Sequence, residues 1–164
     1  MTRRSLLVAG VAALAAAGAL VVGALLSGDD ELEPVTVADV REGVARLVVD
    51  GRPTLRLWVV TTPEARAAGV NGHPLTPGEG MWFGWDELAT SAFWMRGVTY
   101  PLLIAWVGPD QRVIRIDRME PCAEPGAECP LYEPPRPFRW AIELLPEDRD
   151  ASGLRPGARV GMRP

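Results

Sequence analysis

Lysine is absent from this 164-residue sequence, and histidine occurs once and cysteine twice. The 17 basic residues are therefore all arginines. A structural zinc site takes about four Cys or His ligands, so this small set predicts no metal site. A Gly-rich phosphate loop, a nucleophile elbow and a dinucleotide-binding fingerprint are also missing. We expect no metal ion and no cofactor and assign no catalytic residue; His73, in a Gly-Pro-rich loop, is interpreted as solvated.

A basic surface is missing as well. The net charge is −4, and removing the two positive charges of Arg3 and Arg4 with the leader described below makes it −6. Domains that bind nucleic acid carry a clustered basic patch, whereas the arginines here are scattered through an acidic chain. We therefore do not expect nucleic acid as a partner.

One long apolar run is present, near the N-terminus. Residues 6–26 are 21 consecutive uncharged residues, and a helix needs about 20 to cross the hydrocarbon core of a membrane. Arg3 and Arg4 precede the run, and acidic residues 29–31 follow it. Because basic residues stay on the cytoplasmic side, this asymmetry predicts a cytoplasmic amino end and an exported remainder.

The fate of this leader has two interpretations. Residues 1–27 are either an uncleaved membrane anchor or a signal segment cleaved after Ala24. The first makes the protein a single-pass cell-membrane protein with an extracytoplasmic C-terminal domain, and the second makes it secreted. Residues 28–42 are acidic and aperiodic, which predicts a linker, and residues 43–164 are expected to form one domain.

Short stretches of alternating apolar and polar residues, separated by turns, fill this domain. The chain holds 17 Gly and 16 Pro, which favours short strands over long helices. We predict a mostly-β fold, a compact antiparallel β-sandwich or partly closed barrel with one short helix. No long crossover helix is evident, so a parallel sheet is not expected. The predicted strands are 44–49, 55–59, 80–85, 91–95, 101–107, 113–119 and 138–144, and residues 154–162 are expected to form a Pro-Gly turn and a short strand.

The first two strands form a predicted β-hairpin. Asp50-Gly51 is a turn signal, and Arg52 and Pro53 are expected to lengthen the loop slightly.

The predicted helix spans Thr61 to Gly69. Thr61 or Thr62 is expected to cap it, with Glu64 completing a capping box from Thr61. Pro63 suits the first helical position, and Gly69 is expected to end the helix in the left-handed conformation.

The residues from Gly80 to Val107 are the most apolar part of the domain and hold four of its six tryptophans. Their aromatic side chains either pack in the core or line an apolar pocket or partner surface. In the later strand, alternation places Phe138, Trp140, Ile142 and Leu144 on one face and Glu143 on the opposite, solvent face.

The two cysteines, Cys122 and Cys129, lie in a long Pro-rich loop. In an oxidising exterior compartment an even pair is expected to form a disulfide. A redox couple is the alternative, but it usually calls for a closer Cys-x-x-Cys pair at a helix start.

Several motifs follow one another in an order that resembles a known family. They are Thr62-Pro63-Glu64-x-Arg66-x-x-Gly69-Val70, Gly80-Met81-Trp82-Phe83, Phe93-Trp94-Met95-Arg96, Pro101-Leu102-x-Ile104-Ala105, Pro121-Cys122, Cys129-Pro130-Leu131-Tyr132 and Glu143. From Leu55 to Val160 the chain resembles the bacterial and archaeal family called domain of unknown function 192. The resemblance implies a compact mostly-β domain, often exported behind one anchor or signal, and no established reaction.

The chain departs from the family pattern at polar positions. His73 stands where the family usually has Arg, Gly97 and Val98 replace Asn-Thr, and Leu103 replaces Asp. If those polar groups form a site in the family, this chain has lost part of it. Because removing groups that act together usually abolishes their joint activity, the departures argue against catalysis.

The sequence therefore predicts a non-catalytic extracytoplasmic module that binds an unknown small ligand or an envelope protein. The alternatives are a hydrolase-like enzyme whose carboxylates, such as Glu79 and Glu143, meet near Arg96, and an assembly domain without a pocket. The candidate ligand-binding residues are Glu79, Met81, Trp82, Trp94, Met95, Arg96, Tyr132 and Glu143.

Overall fold

The structure is a computed structural model, and it describes residues 43–124 and 128–164. The predicted leader, 1–27, and the linker, 28–42, lie outside the described residues. Within the part that is described, no helix is both long enough and apolar enough to cross a membrane.

Strands dominate the described residues, which confirms the mostly-β prediction. In chain order the elements are β1 Gly43–Val49, β2 Arg52–Val60, α1 Pro63–Gly72, β3 Glu79–Ala89, β4 Phe93–Trp94, β5 Leu102–Val107, β6 Val113–Met119, β7 Leu131–Tyr132, β8 Phe138–Leu144, a 3-10 turn Pro146–Asp148, α2 Arg149–Ser152 and β9 Val160–Arg163.

Seven of these strands form one mixed sheet in the order β6-β5-β8-β3-β2-β1-β9, and β4 and β7 form a separate pair. The predicted antiparallel sandwich or barrel is therefore wrong, because β2 and β3 pair in parallel. The connection between them is the eighteen residues 61–78, which include α1. A parallel crossover needs about a dozen residues, so this short helix with its loop suffices.

The sheet curls so far that its two edge strands approach each other. The Val113 amide donates to the Ala158 carbonyl at 2.9 Å, and an isolated bridge joins Arg112 to Arg159. These contacts link only one end of the edge strands, so the sheet stays open rather than closing into a barrel.

Each face of the sheet carries its own hydrophobic cluster. In β5, Leu103, Ala105 and Val107 belong to the first cluster, while the intervening Leu102, Ile104 and Trp106 belong to the second. The second cluster also contains Val70 from α1 and Met95 and Val98 from the chain that follows β3. These two segments therefore cover the second face of the sheet.

The hairpin turn is tighter than expected. Arg52 pairs with Val49, so only Asp50 and Gly51 lie between the strands. Their φ angles are 47° and 80°. Positive φ at both central residues is typical of the two-residue hairpin turn whose twist matches that of the flanking strands.

The N-cap of the helix is one of the two predicted threonines. Thr62 is the N-cap, and its hydroxyl accepts from the Ala65 amide at 3.2 Å, so the capping box from Thr61 is not formed. Gly69 has a positive φ of 47°, but its ψ of −142° lies outside the left-handed helical region. The chain kinks there and continues helically to Gly72.

Some predicted strands differ in extent from those observed. β3 runs to Ala89 rather than ending at residue 85. The stretch 91–95 contributes only the two-residue β4, which pairs with β7 outside the main sheet. The short strand predicted with a Pro-Gly turn in residues 154–162 is present as Val160–Arg163. The 3-10 turn and α2 that precede it were not predicted from the sequence.

A cleft between helix α1 and the wall segment

A cleft of about 400 Å³ opens on the second face of the sheet. One side is α1, which contributes Pro63 and residues 66–71, and the other is the wall segment, residues 91–98, which contributes 91–95 and Val98. The floor is formed by Phe83, Trp85 and Glu143 from the sheet. Much of the helix side is Ala and Gly, and these short side chains leave the space between the two elements unfilled.

Glu143 lies on the cleft floor, in β8, opposite Met81 of β3 and Ile104 of β5. It is 4% exposed. Within the described part of the chain, no hydrogen bond to its carboxyl group contributes to its pKa. Burial alone raises the pKa of Glu143 to about 8. The carboxyl is therefore mostly neutral at pH 7.

The sequence placed Glu143 on a solvent face, and that interpretation is wrong. Glu143 does lie on the predicted side of β8, opposite to Trp140, Ile142 and Leu144, which belong to the first cluster. The opposite face is buried, however, because α1 and the wall segment cover it. Phe138 also differs from the prediction: it belongs to the second cluster, after an irregularity in the β3–β8 register.

Arg66 is the second ionisable residue that lines the cleft. Its Nη1 donates to the backbone carbonyl oxygens of Thr61 and Gly84, the latter at 2.9 Å. Its guanidinium carbon also lies 5.0 Å from the centre of the Trp85 ring. Two carbonyls and an aromatic face thus hold this cation against the side of the cleft.

The aromatic side chains of the cleft form a connected set. Phe83 and Phe93 meet edge to face with ring centres 5.0 Å apart, and Trp85 meets Phe138 in the same way at 5.0 Å. Phe93 also contacts the fully buried Trp106 at 5.4 Å. Edge-to-face pairs at these distances are favourable, so Phe83 and Trp85 present a packed aromatic surface on the floor.

The rim of the cleft carries exposed apolar residues. Trp94 is 54% exposed, and its cross-strand partner Leu131 is 60% exposed. The Arg96 guanidinium lies 4.5 Å from the centre of the Trp94 ring. The Asn71 side-chain amide donates to the Arg96 carbonyl at 2.8 Å, which ties α1 to the wall segment.

The predicted disulfide between Cys122 and Cys129 is present, with Cα atoms 5.7 Å apart. Backbone hydrogen bonds connect it to the wall segment. The Gly97 amide donates to the Cys122 carbonyl at 2.9 Å, and the Cys122 amide donates to the Val98 carbonyl at 3.1 Å. The disulfide therefore anchors the backbone that carries one side of the cleft.

Glu79, another candidate residue, does not line this cleft. Its carboxylate accepts from the Thr76 hydroxyl at 2.8 Å, the Thr76 amide at 3.1 Å and the Trp58 indole at 3.2 Å, and it pairs with Arg56 at 3.5 Å. Burial tends to raise the pKa of Glu79, but these hydrogen bonds and the Arg56 charge outweigh it and lower that pKa. Glu79 therefore has partners of its own.

The other candidates divide between the cleft and the core. Trp94, Met95 and Glu143 line the cleft. Met81 and Trp82 are 1% exposed and pack in the two clusters, and the Tyr132 hydroxyl accepts from the Glu120 amide at 2.8 Å. Arg96 lies on the rim. The structure thus does not bring Glu79 and Arg96 to the cleft that Glu143 lines.

Sequence reasoning missed the residues of α1 that line the cleft. Phe83, Trp85 and Phe93 belong to the aromatic group that it assigned to a core or a pocket, but Arg66 was noted only as part of a motif. A lone arginine in an Ala-rich helix beside Trp-rich strands is the signal that points to it.

The positions that depart from the family pattern fall in different places. Val98 is 4% exposed and lines the cleft, next to Gly97, whose φ is 79°. His73 lies against Trp58, with ring centres 3.6 Å apart. Leu103 belongs to the first cluster, on the opposite face of the sheet. Within the described ranges, no three or more His, Cys, Asp or Glu residues are grouped closely enough to hold a metal ion.

The solved structures that are similar to this chain include two at 23% sequence identity. One is a candidate transcription regulator from Sinorhizobium meliloti 1021, with a TM-score of 0.61 and 23% sequence identity over 75% of this chain and 96% of that one. The other is a protein of unknown function from Novosphingobium aromaticivorans DSM 12444, with a TM-score of 0.59 and 23% identity over 72% of this chain and 83% of that one. At this identity the likeness shows a shared fold alone.

Comparison with curated proteins finds no match. The profile of the family DUF192, described as an uncharacterized ACR, matches residues 45–162. This range spans β1 to β9 and includes every element that forms the cleft. The chain therefore belongs to the DUF192 family.

Proposed function

We propose that this protein is a non-catalytic binding module whose cleft between α1 and the wall segment takes a small ligand with an apolar body. The observation that carries the proposal is the Glu143 carboxyl, buried and without a hydrogen-bond partner among the described residues, on the floor of an open cleft of about 400 Å³. Ligand pockets commonly combine an apolar lining with a few placed polar groups.

The energetics of Glu143 support this proposal. The carboxyl oxygens of Glu143 keep contact with the open cleft, because they are not among the fully buried side-chain atoms of the described residues that lack a partner. Burial of the residue still disfavours the charged form and raises the pKa of Glu143 to about 8. A ligand that bonds to this carboxyl does so where a hydrogen bond is stronger than it is in bulk water.

The chemistry of the lining favours binding over catalysis. Glu143 and Arg66 are the ionisable residues of the cleft, and Arg66 is bonded to two backbone carbonyls and packed on Trp85. Acid–base catalysis usually needs a second group that exchanges protons with the substrate. The family resemblance assigns Asn-Thr to positions 97–98, whereas Gly97 and Val98 add no polar side chain here.

The proposal places the cleft outside the cytoplasm, behind the leader of residues 1–27, as a membrane-anchored or secreted domain. The apolar run of residues 6–26 and its charge asymmetry support this location. A reporter fused at the C-terminus that is active only outside the cytoplasm tests it, and cytosolic activity of the reporter would contradict it.

Binding is tested by titrating the full chain with 2-phenylethanol, a small probe with an aromatic body. Trp85 lines the cleft, so saturable quenching of tryptophan fluorescence is expected. Ala67→Trp puts a large side chain into the cleft and should weaken binding at least tenfold. The control is Ala151→Trp, at an exposed alanine of α2 that does not line the cleft and should leave binding unchanged. Equal binding by both variants would overturn the proposal.

A further inference from the structure

We propose that the ligand of this cleft carries a primary ammonium group, which pairs with the Glu143 carboxylate while its apolar body packs on the aromatic floor. This inference rests on the proposed function of the cleft and adds the chemical class of the ligand. Three features of the described residues support it: an unpartnered carboxyl, an immobilised internal cation and an aromatic lining.

The first feature is the lack of a counter-charge for Glu143. On β5, the neighbour of Glu143 is the apolar Ile104. The charged residues on the covering elements and on β3 include Glu64, Arg66, Asp86, Glu87 and Arg96. Of the charged ones, only Arg66 lines the cleft. A ligand that enters the cleft can therefore provide the positive charge that the carboxyl lacks.

The second feature is the anchoring of Arg66. A guanidinium free to turn would be the natural partner for a buried carboxyl in the same cleft. The Arg66 guanidinium is instead bonded to the carbonyls of Thr61 and Gly84 and lies over Trp85. The protein thus supplies a cation and fixes it on the side of the cleft, and Glu143 stays accessible to another one.

The third feature is the aromatic lining, which suits an organic cation. Phe83, Trp85 and Phe93 surround the space next to Glu143, and the edge-to-face pairing of Phe83 with Phe93 holds both rings in place. Aromatic faces attract ammonium and guanidinium groups, as Arg66 on Trp85 already illustrates. A hard metal ion prefers six or more oxygen ligands, a set unlike this lining.

Binding of an ammonium group requires Glu143 to lose its proton. The neutral carboxyl releases one proton to solvent, and the resulting carboxylate pairs with the ammonium group of the ligand. Because burial raises the pKa of Glu143 to about 8, most molecules carry this proton at pH 7. The affinity for an amine is therefore expected to rise roughly tenfold per pH unit below about pH 8 and to level off above it.

The test compares two probes of nearly the same shape, 2-phenylethylamine and 2-phenylethanol, by calorimetric titration of the full chain from about pH 6 to about pH 9. The amine should show the rise in affinity and release close to one proton per molecule bound at pH 7. The alcohol should bind without the rise. In Glu143→Gln, the amine should lose its pH dependence and bind at least tenfold more weakly at pH 8, while the alcohol still binds.

The outcomes separate the inference from the proposed function. Equal affinity of wild-type protein for both probes at every pH would overturn the ammonium class and leave the binding function standing. Absence of binding by either probe would count against both. Glu143→Asp provides a second variant, which keeps an ionisable carboxyl and should retain the pH dependence at lower affinity. A Glu143→Gln protein that keeps the amine's pH dependence would also overturn the inference.

Discussion

The backbone carbonyl oxygen of Glu143 lies 3.0 Å from the place where a Cβ atom would stand on Gly80. A Cβ atom on Gly80 would also lie 3.2 Å from Cδ2 of Leu57, a residue of the first cluster. Glycine at position 80 therefore lets β3 approach both β8 and the core side chains of β2. Because β8 carries Glu143, the close approach of β3 to β8 helps to position the floor of the cleft.

The substitution Gly80→Ala is expected to destabilise the domain by roughly 1–3 kcal/mol, because the added methyl group overpacks a site whose nearest neighbour is backbone. Gly84→Ala, on the same strand and the same face, is the matched control. Its Cβ would stand 3.4 Å from Thr61 and 3.8 Å from Trp140, which are ordinary contact distances. Urea denaturation measures both variants, and equal stability of the two would contradict the packing argument.

The buried Glu143 should make the free energy of unfolding depend on pH. Its pKa rises from 4.5 to about 8 on folding, so the folded protein holds the proton over a range in which the unfolded chain has lost it. The contribution of this group is complete below about pH 4.5, falls as the pH rises, and is gone above about pH 8. At about 1.4 kcal/mol per pKa unit, the total loss is several kcal/mol.

Glu143→Gln removes this titration and keeps the side-chain shape. The difference in unfolding free energy between wild type and variant should therefore fall steadily between about pH 4.5 and about pH 8, and the variant should be the more stable protein above that range. Denaturant titrations of both proteins at several pH values measure the difference. A difference that is constant across the range would show that Glu143 ionises freely in the folded state.

A second carboxylate, the partly buried Glu79, should respond to pH in the opposite direction. Hydrogen bonds from Thr76 and Trp58 lower the pKa of Glu79, so its contribution is present above about pH 4.5 and is lost as the pH falls through the folded value. Glu79→Gln should cost about 1–3 kcal/mol near pH 7, because it replaces charge-assisted bonds with neutral ones. The deficit should shrink as the pH falls through the lowered pKa of the folded wild-type protein, where its Glu79 carboxylate also becomes neutral. A deficit that does not change with pH would contradict this account.

Sequence patterns predicted much of the strand arrangement, because local rules set those elements. Alternation located β2, β6 and β8, an apolar run located β5, and Asp50-Gly51 identified the hairpin. These signals depend on neighbours along the chain, so they are readable without the fold. The parallel pairing of β2 and β3 is different, since it depends on whether the segment 61–78 crosses over the sheet, and a kinked helix of ten residues is a weak signal for that.

The candidate cleft was only partly predictable for a related reason. The parity of Glu143 could be predicted, but its burial could not, because burial depends on α1 and the wall segment closing over that face. The aromatic residues could be assigned only to a core or a pocket. Trp82 and Trp106 proved to be core residues, whereas Trp85 lines the cleft and Trp94 stands on its rim.

The disulfide connects stability to the shape of the cleft, and this connection yields the last prediction. Replacing Cys122 and Cys129 together by serine should lower the free energy of unfolding by about 2.5 kcal/mol in the loop-entropy model. It should also weaken 2-phenylethanol binding, because Cys122 holds Gly97 and Val98 of the wall segment through backbone hydrogen bonds. Val160→Ala, which removes buried volume from the first cluster on the opposite face of the sheet and leaves the cleft and the wall segment intact, is the control for stability alone. If both variants lose affinity equally, general destabilisation explains the loss; if only the cysteine variant does, the disulfide positions the wall of the cleft.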